Sequence, residues 1–218
     1  MAKKQGYLNL ASAIRREIVR GVFRSGRPLR QDELAATYGT STIPVREALR
    51  QLEGEGLVTF LPNRGVVVTE LSAAELRELC EIRVLLETQA LRLAIPNLDR
   101  RALAKAAKIL DESDADPRYL ETWGDRNWAF HATLYAAARR PQLLALIERV
   151  NVQIERYLYA HVSLLHYRKQ GQKEHRTLLQ ACRRKDTARA VACLRAHIES
   201  VADLLEPYLA QRDALACA

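Results

Sequence analysis

Cysteines at metal-ribbon spacing are missing from this sequence. The four present, Cys80, Cys182, Cys193 and Cys217, stand apart with no C-x-x-C pair, which argues against a zinc ribbon or a disulfide framework and for a reducing compartment. Long apolar runs are missing too: no stretch of about 18 uncharged apolar residues occurs, and the lysines of Met1-Ala-Lys-Lys-Gln-Gly lead into no apolar segment. The expectation is a soluble, cytoplasmic protein with no membrane partner. There is no internal repeat, no H-E-x-x-H, no G-x-S-x-G and no phosphate-cradling glycine loop, so an enzyme is not expected.

What the chain does have is positive charge and helical periodicity. Its 218 residues suffice for two domains, each with its own core. A formal charge of +8 and a pI near 9.5 favour a polyanionic partner such as nucleic acid. Residues 1–70 carry 11 Lys/Arg against 7 Asp/Glu and residues 71–218 carry 23 against 19. The shorter N-terminal part is therefore the more densely charged.

Apolar Leu10, Ile14 and Ile18 recur every four residues, predicting an amphipathic helix over Leu10 to Arg20 that stops before Gly21. Gly26 and Pro28 mark a turn. A second helix is predicted from Gln31 to Tyr38, ended by Gly39 in a left-handed conformation. Ser41 and Thr42 are placed to cap a third, Pro44 sits in its first turn, and Val45, Ala48, Leu49 and Leu52 form one apolar stripe. Two short helices across a glycine turn make a helix-turn-helix. Val58–Leu61 and Val66–Thr69, separated by Pro62-Asn63-Arg64-Gly65, read as a β-hairpin wing.

From Ser72 onward the pattern is helical: Ser72–Ala94, Leu98–Glu112, Arg118–Ala138, Pro141–Leu165, Gln172–Arg184 and Thr187–Gln211, with Gly171 read as a break. The predicted fold is mainly α: a winged helix-turn-helix DNA-binding domain over residues 1–71, then an all-α six-helix bundle over 72–218.

With the apolar stripe inward, the helical step turns Thr42, Ile43, Arg46, Glu47 and Arg50 outward, the first three at the helix N-terminus that would enter a major groove. Arg46 suits a guanine edge or a phosphate, Ser41 and Thr42 suit phosphate oxygens, and Ile43 suits a thymine methyl. Arg64 and Gly65 at the wing tip suit the backbone or minor groove. Outside this context Arg46 and Arg50 would read as solvated cations paired with Glu47 or Glu53; the helix-turn-helix favours double-stranded DNA.

The run Leu34-Ala35-x-x-Tyr38-Gly39-Thr40-Ser41-x-x-Pro44-Val45-Arg46-Glu47-Ala48-Leu49-x-x-Leu52-x-x-x-Gly56-Leu57-Val58 resembles the signature of GntR-family regulators. The resemblance implies that Arg46 is the DNA-contacting arginine and Gly65 the wing-tip glycine. Thr42 stands where many relatives have arginine, and Ile43 where they have threonine, so operator preference does not carry over.

In the second part Asn127 and His131 lie four apart on one face of the third predicted helix, with His175 and His197 on the fifth and sixth. Singly, each histidine reads as a hydrogen-bonded core or surface residue; together they can converge on zinc, nickel, manganese or iron, leaving positions for an effector carboxylate. Asn127-x-x-Phe130-His131, Glu174-His175-x-x-Leu178-Leu179, Ala196-His197 and Glu81-Ile82-Arg83-x-x-Leu86-Glu87 resemble the FadR-like subgroup and its FCD ligand-binding domain. The resemblance implies metal ligation by His131, His175 and His197, with Asn127 where many metal-binding members have aspartate. Arg83 is placed either to meet an anionic effector or to pair with Glu87 at i+4. His161 and His166 are read as surface or pocket-rim residues, and most aromatics of the third and fourth helices as core.

The function expected is a repressor of transcription whose operator binding is controlled by an organic acid. The helical domains are expected to pair about a two-fold axis and present two recognition helices to a palindromic operator. The alternative from another class is a metal-dependent hydrolase using water on the three-histidine centre.

Overall fold

A computed structural model describes residues 2–62, 65–164 and 167–216, with side chains from Leu10 to Gln211. The chain folds as two compact units that divide between Leu71 and Ser72.

The first unit runs α1 (Ala2–Val19), β1 (Pro28–Leu29), α2 (Gln31–Thr37), α3 (Thr42–Gly54), β2 (Val58–Leu61) and β3 (Gly65–Val68). Its core follows from the two helical stripes: Ile14 and Ile18 of α1 and Val45, Ala48, Leu49 and Leu52 of α3 are all buried, with Leu34, Leu57, Val66 and Val68 around them. Gly39 takes a φ of +61°, the left-handed conformation that lets the chain turn from α2 into α3 without a Cβ clash. Arg15 of α1 donates to Glu55 beyond the end of α3 at 2.9 Å.

Three features differ from the sequence reading. Helix α1 begins at Ala2, not Leu10. The wing is one edge of a three-stranded antiparallel sheet, order β1-β3-β2, because Pro28 and Leu29 pair with Val67 and Val66; proline is tolerated there since β1 is an edge strand. Ser41 stands at the N-cap of α3 with extended backbone but makes no side-chain cap bond. In the recognition helix, Leu49 is fully enclosed, so Leu49→Ala is expected to cost about 2–5 kcal/mol of the first unit's stability, read as an early unfolding transition by circular dichroism.

The second unit comprises α4 (Ala73–Ala94), α5 (Arg100–Ala115), α6 (Tyr119–Tyr135), α7 (Pro141–Leu164), α8 (Arg168–Arg183) and α9 (Thr187–Ala216). Helix α4 packs on α9, α7 and α6, while α8 packs on α5 and α9. Side-chain caps fix three helix starts: Ser72 Oγ accepts from the Glu75 amide at 3.3 Å, Asp99 Oδ1 from the Ala102 amide at 2.7 Å, and Asp186 Oδ1 from the Arg189 amide at 3.0 Å. Gly171 is no break. Helix α8 starts earlier, and the Gly171 amide donates to the Tyr167 carbonyl at 2.9 Å. No helix among the described residues is long and apolar enough to cross a membrane.

Candidate metal centre and nucleic-acid interface

Helix α3 presents its polar side as the periodicity requires. Ser41, Thr42, Ile43, Arg46, Glu47 and Arg50 are exposed, Ile43 by 69%, an unusual position for an isoleucine unless a partner covers it. The two arginines differ. Arg46 makes one long bond, from Nε to Gln31 Oε1 at 3.3 Å. Arg50 donates to Glu53 at 2.8 Å and lies over the Phe60 ring at 3.9 Å, so it is committed to protein partners more firmly than Arg46. Gly65 opens β3 exposed, with φ +74°. Arg64 lies outside the described residues.

In the second unit α6, α8 and α9 bring His131, His175 and His197 together, with ring centroids 5.1 Å (His131–His175), 5.5 Å (His131–His197) and 4.7 Å (His175–His197) apart. One nitrogen from each lies within 4.8 Å of the others. All three side chains are buried, as is Asn127. The hydrogen bonds around them fix the tautomers. Glu87 accepts the Tyr135 hydroxyl proton at 2.7 Å, so the phenolic oxygen is left to accept from His131 Nδ1 at 3.1 Å. Gln172 Oε1 faces His175 Nδ1 at 3.2 Å, and Glu174 Oε2 faces His197 Nδ1 at 2.7 Å. With each Nδ1 proton held by an oxygen, each Nε2 carries a lone pair.

Two of those lone pairs lack partners. His131 Nε2, His175 Nε2 and Asn127 Oδ1 are buried without a hydrogen bond, a condition that costs about 1–3 kcal/mol per group. Burial first, and then the neighbouring histidines and Arg83, hold His131 far below the ordinary histidine range; His175 is lowered by burial, His197 and Arg83. Both rings are therefore neutral at pH 7, the state a metal ion needs. Burial alone would raise the Glu174 carboxyl, but hydrogen bonds from His197, Tyr167 and Gln170 outweigh it and bring the group below its ordinary range. It stays an anion beside His197. The three imidazoles therefore fit a divalent ion, and Asn127, one helical turn before His131 on α6, offers a buried amide oxygen without a partner.

Arg83 is buried and gives its Nε proton to Glu87 at 2.6 Å, forming the structural pair that its i+4 spacing allowed. It stands behind His131 through Glu87 and Tyr135. Trp123, Phe130, Tyr135 and Tyr157 are core residues, and Asp125 is exposed. His161 corrects the surface expectation: it is buried on α7, four residues after Tyr157 and seven after Ile154 on the stripe that faces the core. That periodicity was the signal for it. Gln172 and Glu174 also gained no role from sequence, although each sits within a turn of His175. His166 lies outside the described residues.

The chain matches the gntR family of bacterial regulatory proteins over residues 6–68 and the FCD domain over residues 78–200. It is a member of the GntR family. Its relatives include the HTH-type transcriptional repressor GlaR of Escherichia coli, 30% identical over 207 residues that span 90% of this chain and 94% of GlaR. A GntR-family regulator from Pseudomonas syringae superposes with a TM-score of 0.60 at 34% identity, covering 95% of this chain and 87% of that one. A GntR regulator from Rhodococcus shares the fold at a TM-score of 0.77 and 22% identity, covering 95% and 98%. This GntR protein is thus a DNA-binding transcription regulator with a mainly α fold and an FCD domain.

Proposed function

We propose that this regulator is a repressor whose hold on a palindromic operator is set by an organic acid bound at a metal centre in the FCD domain. The observation that carries the reading is the set of three histidines with every Nδ1 engaged by an outer oxygen, two of whose Nε2 atoms are buried without partners beside an equally unpartnered Asn127 Oδ1. His131, His175, His197 and Asn127 would hold the ion, which supplies a Lewis acid with open positions for a carboxylate oxygen. Tyr135, Gln172 and Glu174 orient the rings, as outer hydrogen-bond partners do in metal sites. The imidazoles and the Asn127 amide would bring no charge of their own, so the bound ion would keep a positive charge that favours an anion. The Glu174 carboxylate behind His197 offsets it in part, while the charge of Arg83 is balanced by Glu87.

On the DNA side Arg46, Thr42, Ser41 and Ile43 would meet the operator. Leu85 on α4 and Leu204 and Tyr208 on α9 are exposed apolar side chains, which suits pairing of two FCD domains and so of two recognition helices. The effector shifts the equilibrium by binding one arrangement of the pair more tightly than the other. GlaR is named a transcriptional repressor, which supports repression here. The hydrolase alternative gains no support, because the matched relatives are regulators.

The test is a thermal-shift screen of organic acids on tag-free protein with and without chelator. An acid at about 100 times its dissociation constant stabilises by about 2.7 kcal/mol, several degrees for a chain of this size. The expected result is a shift that chelator abolishes and metal restores, with release of operator DNA by the same acid. Shifts indifferent to chelator would remove the metal from the reading.

A further inference from the structure

Helix α8 carries a row of cations that neither the recognition helix nor the histidine centre uses. Arg168, Lys169, Lys173 and Arg176 line an open cavity of about 460 Å³ against Asp114 of α5, with Gln172 among them. Lys169, Lys173 and Arg176 stand at i, i+4 and i+7 and so share one helix face. Like charges at that spacing destabilise a helix. Arg168 and Lys169 also sit in the first turn, which holds no acidic residue, at the end where the helix macrodipole is already positive. Packing does not call for the row either, because Lys169, Lys173 and Arg176 are exposed.

The carboxylate in the cavity wall is already engaged: Asp114 Oδ1 accepts from Gln172 Nε2 at 2.8 Å, and Oδ2 pairs with Arg176, which also reaches Asp111 at 3.1 Å. Arg168 is held in place, since its Nη2 donates to the Asp114 carbonyl at 2.9 Å and its guanidinium lies 4.0 Å from the Tyr119 ring centroid. Lys169 and Lys173 differ. Neither ammonium makes a hydrogen bond or an ion pair with a described residue. Two anchored guanidinium groups and two free ammonium groups therefore surround one concave space, four cations against one carboxylate.

We propose that this cavity is an anion site for a small phosphorylated molecule. Phosphoryl oxygens meet Lys169 and Lys173 as point charges and Arg168 and Arg176 as planar donors. The enclosed volume suits a ligand of metabolite size. The site does not depend on metal-assisted sensing: Gln172, 8% exposed, closes its floor, and only the opposite end of that amide faces His175.

The experiment titrates the full chain calorimetrically with pyrophosphate and acetate at fixed ionic strength. Pyrophosphate is expected to saturate one site per chain, and to do so equally in His175→Ala and in Arg46→Ala, which exclude the histidine centre and the recognition helix as its seat. In Lys169→Ala/Lys173→Ala the affinity falls about tenfold, as the loss of two exposed charge contacts warrants, while the melting temperature does not fall. Lys169→Arg/Lys173→Arg retains binding. Arg183→Ala/Arg184→Ala removes the same charge from exposed positions at the other end of α8 and lowers affinity less than about twofold. Equal losses in the two alanine pairs reduce the effect to net charge and overturn the inference. Loss of the site in either single variant, acetate binding as tight as pyrophosphate binding, or no pyrophosphate binding to the wild type overturns it too. In the last case, a weaker cognate duplex in Lys169→Ala/Lys173→Ala would give the row to the DNA backbone instead.

Discussion

Replacing Arg46 by alanine is expected to weaken binding to a cognate duplex, selected from a random pool, by about 5- to 150-fold, the equivalent of the 1–3 kcal/mol carried by a good arginine–base contact. The side chain is exposed on the face of α3 opposite Val45, Ala48, Leu49 and Leu52. Its one long bond to Gln31 is easily exchanged for a nucleic-acid oxygen. Stability should hardly change, since nothing buried is lost. Arg50→Ala is the internal comparison: its guanidinium is tied to Glu53 and Phe60, so the loss of affinity should be smaller and some stability should go with it. Electrophoretic mobility shifts at two salt concentrations separate the possible roles of Arg46. A base contact gives a loss concentrated on the cognate sequence, and a phosphate contact gives a uniform loss with the salt slope reduced by about one. Unchanged affinity and specificity in Arg46→Ala would mean that α3 is not the reading helix.

A larger effect is expected from His175→Ala. Losing an outer hydrogen-bond partner of a metal ligand costs about 10–100-fold in metal affinity, and losing the ligand itself should cost more, at least a hundredfold. The substitution removes one of the unpartnered Nε2 atoms and also leaves Gln172 without its histidine. Metal content after dialysis should fall to background, and organic acids should no longer change operator affinity. DNA binding by the effector-free protein should persist, because the recognition helix belongs to the other unit. Glu174→Gln is the graded control: an amide can still accept the His197 proton but no longer brings a negative charge, so metal is weakened and not lost. A His175→Ala protein that keeps both metal and acid response would remove the centre from the account.

The parts of this molecule written in local periodicity were legible beforehand. The α3 stripe, the glycine turn before it and the six helices after Ser72 all follow from residue spacing, and so does the shared face of Asn127 and His131. Convergence of His131 with His175 and His197 was not a matter of spacing, since it depends on how α6, α8 and α9 pack; family resemblance supplied it. What escaped was decided by tertiary contact. Two residues, Pro28 and Leu29, become a strand only because β3 offers an open edge. Gly171 looks like a helix break, yet it sits inside α8, where its amide donates to the Tyr167 carbonyl at 2.9 Å. His161 reads from sequence as a surface or pocket-rim residue because it falls outside the ligand pattern, although its place on the Ile154–Tyr157 stripe marks it as internal. Gln172 and Glu174 looked like ordinary polar helix residues, and only the folded arrangement shows which histidine each one holds.

The central claim is that the FCD domain holds one metal ion on imidazole nitrogens. Metal analysis of tag-free protein, followed by X-ray absorption at the edge of the metal found, tests it most directly. The account predicts one ion per chain, nitrogen and oxygen neighbours at about 2.0–2.1 Å if the ion is zinc, an imidazole scattering pattern, and no sulfur. A chain that takes up no metal after add-back, or a first shell containing cysteine sulfur, would contradict it.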